Sequence, residues 1–142
     1  MYHIVCPAKY RKVIFSKEAD KLLKETCMEI ENRYEIYFIE IGTDKNHVHF
    51  FVQSVPTYSP TKIVRIIKSI TAREMFKKMP EIKEKLWGGE FWSKGYFINT
   101  VSKYAGEASV AKYVKNQGKM YDGYKVMYSV EKTVVIDESP II

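Results

Sequence analysis

Apolar and polar positions change their period several times along the 142-residue chain, and each change marks an element. Tyr2 to Cys6 is a short apolar run that reads as a strand; Pro7 closes it, and a basic-aromatic stretch through Lys12 leads to Val13-Ile14-Phe15. Ser16, with Glu18 in the turn that follows, is an N-cap. From there Ala19, Leu22, Leu23, Cys27 and Ile30 recur at spacings of three and four, which predicts a helix to about Asn32. Tyr34 to Ile41 is rich in aromatic and β-branched residues, Gly42-Thr43-Asp44-Lys45 is turn chemistry, and His47 to Gln53 resumes an extended pattern. That is a β-hairpin. Ser59 followed by Pro60 supplies an N-cap and a first helical residue, predicting a second helix to about Lys78 with Ile63, Ile67 and Ile70 as its apolar side. Pro80 ends it, an aromatic loop (Trp87-Gly88-Gly89, Phe91-Trp92) precedes a strand from Gly95 to Val101, and Glu107 to Gln117 forms a last helix closed by Gly118.

The order β-α-β-β-α-β-α predicts an α+β fold, the ferredoxin-like split βαβ sandwich, with an antiparallel sheet, helices on one face and the other face available. We read residues 1–118 as one catalytic domain and 119–142 as a C-terminal extension. The extension alternates enough at Val126, Tyr128, Val130 and Val134-Val135-Ile136 to hold one or two strands whose placement the pattern leaves open. With 46% hydrophobic residues and no low-complexity tract, disordered and fibrous classes are excluded. A chain this long buries enough surface to need no disulfide, so Cys6 and Cys27 read as reduced thiols of a cytoplasmic protein. The pattern contains neither an 18-residue apolar run nor a signal-peptide block, so no membrane association is expected.

Charge changes the picture in one place. The net charge is +6, and the segment from Thr61 to Lys85 holds eight basic and three acidic residues, which is five of those six charges. At about 100° per residue, Lys62, Arg65, Ser69 and Arg73 share an arc of roughly 80° beside the apolar stripe of the second helix. One flank can then meet phosphates while its neighbour packs on the sheet, unless the excess is only a solvated face. Eleven Tyr, seven Phe and two Trp, several beside Lys or Arg as in Lys9-Tyr10-Arg11-Lys12, add stacking faces suited to single-stranded nucleic acid.

Two of the three histidines are His47 and His49, flanking Val48 in a predicted strand. Side chains alternate across a strand, so both imidazoles leave one face while Val48, Phe50 and Val52 leave the other. The spacing suits two ligands of a divalent ion, and equally two histidines on a half-exposed strand. Two ligands alone do not complete a site. On the last helix Tyr113 and Gln117 stand at i and i+4, so a phenol and an amide oxygen share a face.

Taken together, His47-Val48-His49-Phe50, then Phe91-Trp92-Ser93-Lys94-Gly95-Tyr96-Phe97, then Lys112-Tyr113 with Gln117, resemble the single-tyrosine HUH transposases of the smallest bacterial and archaeal insertion sequences. The opening Tyr2-His3-Ile4-Val5 with Lys9-Tyr10-Arg11-Lys12 is similar to the start of that family. The resemblance spans roughly Tyr2 to Gly118. It implies a dimeric nuclease and strand transferase acting on single-stranded DNA hairpins, with sites shared between subunits. His47, His49 and Gln117 would hold Mg²⁺ or Mn²⁺, and Tyr113 would be the nucleophile that forms a 5′-phosphotyrosine. Lys9, Arg11, Lys12, Lys62, Arg65 and Arg73 are the expected DNA contacts. The chain departs from the family at Asn46, where many relatives carry Asp, and so lacks at that position an anion for a ligand histidine. The competing reading is a non-catalytic or domesticated protein that binds single-stranded nucleic-acid hairpins on the same sheet.

Overall fold

The computed structural model describes residues 1–9, 16–86, 89–101 and 123–130. Five strands form one antiparallel sheet in the order β4-β1-β3-β2-β5: β1 (Tyr2–Pro7), β2 (Ile36–Thr43), β3 (His47–Ser54), β4 (Phe97–Thr100) and β5 (Lys125–Ser129). The first four strands in sequence, in the sheet order 4-1-3-2, are the expected ferredoxin-like plan. Helices α1 (Lys17–Arg33) and α2 (Pro60–Lys78) cover one face.

Local chemistry fixes the helix ends as the sequence predicts. The Ser16 hydroxyl accepts from the Ala19 amide at 3.1 Å, and the Ser59 hydroxyl from the Lys62 amide at 3.1 Å with Pro60 in the first turn. Each bond satisfies a donor that the first turn leaves unpaired. Pro80 does end α2, but it also opens a six-residue helix, α3 (Pro80–Lys85), where the pattern predicted only a connection to the aromatic loop. Proline costs nothing at a first helical position because its missing N–H would have no partner there.

Alternation in β1 and β3 builds the core. Ile4 faces Phe50 and Cys6 faces Val48, all fully buried under Leu23 and Cys27 of α1 and Ile63 and Ile67 of α2. In β2 a bulge at Ile39 keeps both Phe38 and Ile41 on that helix side, against Val52 and Phe50. The aromatic loop is anchored inward rather than displayed. Phe91 and Trp92 are buried, and the Trp92 indole N–H donates to Thr71 Oγ1 of α2 at 2.9 Å. Ser93 N–H donates to Pro7 O at 3.0 Å, and Lys68 Nζ holds the carbonyls of Ser93 and Gly95 at 3.2 and 3.0 Å. These bonds tie the loop to β1 and α2.

The face opposite the helices is not open. His3, His49 and Phe51 are fully buried there, and Tyr124, just before β5, lies over it. The C-terminal segment therefore adds a strand beside β2 and part of the cover of this second face. The predicted helix at 107–117 lies outside the described residues, as does Val13-Ile14-Phe15. Among the described residues no helix is long and apolar enough to cross a membrane.

Candidate functional site

The β2–β3 connection is a three-residue turn that sets a carboxylate beside two imidazoles. Asp44 folds its side chain back over the turn, and Oδ1 accepts from the backbone N–H groups of Asn46 and His47, both at 2.8 Å. This Asx-type closure is what short Asp-containing turns favour. The same carboxylate reaches the strand that follows. His47 Nδ1 lies 3.0 Å from Oδ1, and His49 Nε2 lies 2.8 Å from Oδ2. His47 and His49 share the sheet face, as alternation requires, with His47 half-buried at the strand end and His49 fully buried.

Asp44 thus replaces the anion that Asn46 cannot supply. The expectation that Asn46 leaves a ligand histidine without a neighbouring carboxylate is corrected: the carboxylate comes from three residues before His47, not from one. Asn46 contributes through its backbone, donating to Asp44 and accepting from Ala8 N–H at 2.8 Å.

Electrostatics define the protonation pattern. Burial favours the neutral form of Asp44, but hydrogen bonds from His49, the Asn46 amide and His47 outweigh it and hold the carboxyl below its usual range. Asp44 is therefore ionised and accepts only. Burial lowers the pKa of His49, against the opposing pull of Asp44. His3, in β1, stands 3.1 Å from His49 through its Nε2 and the partner's Nδ1. Burial and the adjacent His49 push the His3 pKa down to about 4. On the far side Tyr124 meets the His49 ring edge-on, centroids 5.1 Å apart, and its hydroxyl donates to Glu40 Oε2 at 2.9 Å. Burial and the Glu40 charge raise the Tyr124 pKa far above the ordinary phenol, so this tyrosine stays protonated.

The two imidazoles are candidate ligands of a divalent cation, with the Asp44 carboxylate beside them to hold a ligand ring. Among the described residues no three His, Cys, Asp or Glu side chains make a closed ligand set. An ion at this place needs a further donor. Gln117 and the candidate nucleophile Tyr113 lie outside the described residues, as do Arg11 and Lys12.

Of the remaining expected DNA contacts, Lys62, Arg65 and Arg73 are exposed along one flank of α2, with Ser69 between them. The Lys62 ammonium sits 4.3 Å from the centre of the Tyr58 ring. Arg65 also borders a groove of about 560 Å³ between α2 and the Gly89–Tyr96 segment, floored by Phe76, Phe91 and Trp92. Lys9 makes an exposed ion pair with Glu90 at 3.2 Å. Such a pair holds on the order of 1 kcal/mol or less, so a phosphate can replace Glu90 at small cost. Sequence reasoning missed Asp44, which it took only as turn chemistry, and His3, a lone histidine in an apolar strand. The signals were present: Asp-x-x-His-x-His places a turn carboxylate at the strand entrance, and His3 has the strand parity of His49 once β1 and β3 pair.

Comparison with known proteins gives the chain its relatives. The family model described as "Transposase IS200 like" matches residues 1–117. The ISDra2 transposase TnpA of Deinococcus radiodurans is 35% identical over 118 residues, 82% of each chain. The transposase for insertion sequence element IS200 of Salmonella typhimurium is 25% identical over 116 residues, 82% of this chain and 75% of that one. A solved Deinococcus radiodurans structure assigned as a transposase superposes with a TM-score of 0.64 at 28% identity, covering 82% of this chain and 88% of the other. With a family model that matches residues 1–117, which include β1 to β4, α1 to α3 and the His47–His49 pair, the chain belongs to the IS200-like transposase family.

Proposed function

We propose that the protein cleaves and rejoins single-stranded DNA at hairpin-marked ends through a 5′-phosphotyrosine on Tyr113. The observation that carries the reading is the pair His47 and His49 on one sheet face, both within hydrogen-bond distance of the Asp44 carboxylate, in a chain of a transposase family. His47 and His49 would hold Mg²⁺ or Mn²⁺ with Gln117, and Asp44, beside Nδ1 of His47, orients that imidazole. The ion, when bound, withdraws charge from the scissile phosphate, which a phenol nucleophile requires.

In the proposed reaction the Tyr113 phenol gives up its proton to water and its oxygen bonds to a backbone phosphorus as the bond from that phosphorus to the 3′ oxygen breaks. The 3′ oxygen takes up a proton and leaves as a hydroxyl. Attack by a 3′-OH on the phosphotyrosine reverses the exchange, restores the phenol and joins strands without a nucleotide cofactor. Lys62, Arg65 and Arg73 guide the backbone along α2. Two subunits share each site, with His47 and His49 from one and Tyr113 from its partner.

A labelled hairpin incubated with protein and Mg²⁺ or Mn²⁺ tests this reading. Label migrating with protein under denaturing conditions, abolished by EDTA while the native gel shift persists, supports it. Shifted but uncut DNA under all metal conditions supports the hairpin-binding alternative instead.

A further inference from the structure

The buried His3 has no part in the expected ligand set, yet it touches one of its members. We propose that His3 is a positioning residue for the metal site: its Nε2 holds Nδ1 of His49, and its stack on Phe51 fixes the plane from which it does so. The inference rests on the metal-dependent reading above. Its physical basis is the register of β1 and β3, which sets His3 opposite Phe51 and Val5 opposite His49 on the face away from the helices. The His3 and Phe51 rings lie 1° from parallel with centroids 4.3 Å apart, and the His3 and His49 rings 16° from parallel at 5.4 Å. Both histidines are fully buried, so neither ring turns without disturbing the packing around it.

Geometry gives this contact its role. The two ring nitrogens of His49 face different groups: Nε2 lies 2.8 Å from Asp44 Oδ2 and Nδ1 lies 3.1 Å from His3 Nε2. A His49 that ligates through Nε2 carries its proton on Nδ1 and needs an acceptor beyond it, and His3 Nε2 stands at that place. Imidazole has two neutral tautomers, so His3 can accept there. For His47 the corresponding group is Asp44, 3.0 Å from its Nδ1.

The test pairs two substitutions with two readouts that do not depend on catalysis. His3→Phe keeps the stack on Phe51 and removes the bond to His49, whereas His3→Gln keeps a group that can donate or accept. Mn²⁺ affinity, read by electron paramagnetic resonance on the full chain, should weaken roughly 10- to 100-fold in His3→Phe and recover in large part in His3→Gln. In wild-type protein, ¹⁵N imidazole spectra should place the His49 proton on Nδ1 on Mg²⁺ saturation. Hairpin binding in EDTA and the melting temperature report whether each variant is folded. Should His3→Phe not fold, the wild-type spectra and His3→Gln decide. Wild-type Mn²⁺ affinity in His3→Phe, or a His49 that keeps its Nε2 proton with Mg²⁺ bound, overturns the proposal while His47→Ala still abolishes binding. If wild type shows no Mn²⁺ binding that His47→Ala removes, the metal-dependent reading itself fails.

Discussion

Gly42 occupies the β2 position opposite His49, and Tyr124 uses the space that a side chain there would fill. A Cβ built on Gly42 would overlap the Tyr124 hydroxyl and Cζ, and would lie 2.6 Å from its Cε2, all in the rigid end of a ring. Gly42→Ala must therefore displace Tyr124. Three contributions are lost: the bond from its hydroxyl to Glu40, the edge contact with His49, and part of the cover over the second sheet face. The hydrogen bond to a charged acceptor is worth about 1.5–3 kcal/mol and the ring contact about 0.5–1.5 kcal/mol, while Ala in a strand regains up to about 1 kcal/mol over Gly. The expected cost is about 2–3 kcal/mol, or a melting temperature lower by roughly 6–12 °C for a domain of this size. The same clash predicts strong coupling. Tyr124→Ala alone should also destabilise, but Gly42→Ala on a Tyr124→Ala background should cost little, giving a coupling energy above about 1 kcal/mol. Urea unfolding followed by circular dichroism measures all four corners of the cycle. Costs that simply add, or a Gly42→Ala protein as stable as wild type, would refute the placement of Tyr124 over Gly42.

Three other outcomes follow from the structure. Thr71→Val should destabilise by about 1–3 kcal/mol because it leaves the buried Trp92 N–H without its acceptor, whereas Thr71→Ser should retain most of the stability in the same melt. Cys6 and Cys27 should react with a thiol reagent at neutral pH only upon unfolding, since both are buried and burial pushes the Cys6 thiol up to about 12 and Cys27 well above its ordinary value; prompt modification of the native protein would contradict that packing. Neutralising Lys62, Arg65 and Arg73 together should weaken hairpin binding and flatten its salt dependence by roughly 0.7–0.9 per lost phosphate contact, and an unchanged slope would move the DNA path toward Lys9, Arg11 and Lys12.

What the sequence made legible was local. Ser16, Ser59 and Pro60 carry their meaning within one helical turn, so both long helices stand where their caps place them. The alternation of Val48, Phe50 and Val52 against His47 and His49 needed only the two-residue period of a strand. What escaped depended on partners far along the chain. β5 pairs with β2 across some eighty residues, and its weak pattern acquires sense only when Tyr124 meets Gly42. Helix α3 is six residues long, too short for periodicity to register beside the stronger message of Pro80 as a terminator. Asp44 was hidden by its own suitability for a turn, since the residue that closes the hairpin also serves the histidines. His3 is invisible until β1 and β3 align, because only their register brings positions 3 and 49 within 3.1 Å.

The measurement that bears most directly on the proposed activity is mass spectrometry of the protein after reaction with a hairpin and Mn²⁺, followed by nuclease trimming and proteolysis. A nucleotide phosphate attached through the Tyr113 oxygen, absent with EDTA and absent from His47→Ala protein, is the predicted result. Modification on any other residue, or cleaved DNA with no protein-linked nucleotide, would contradict a phosphotyrosine mechanism through Tyr113.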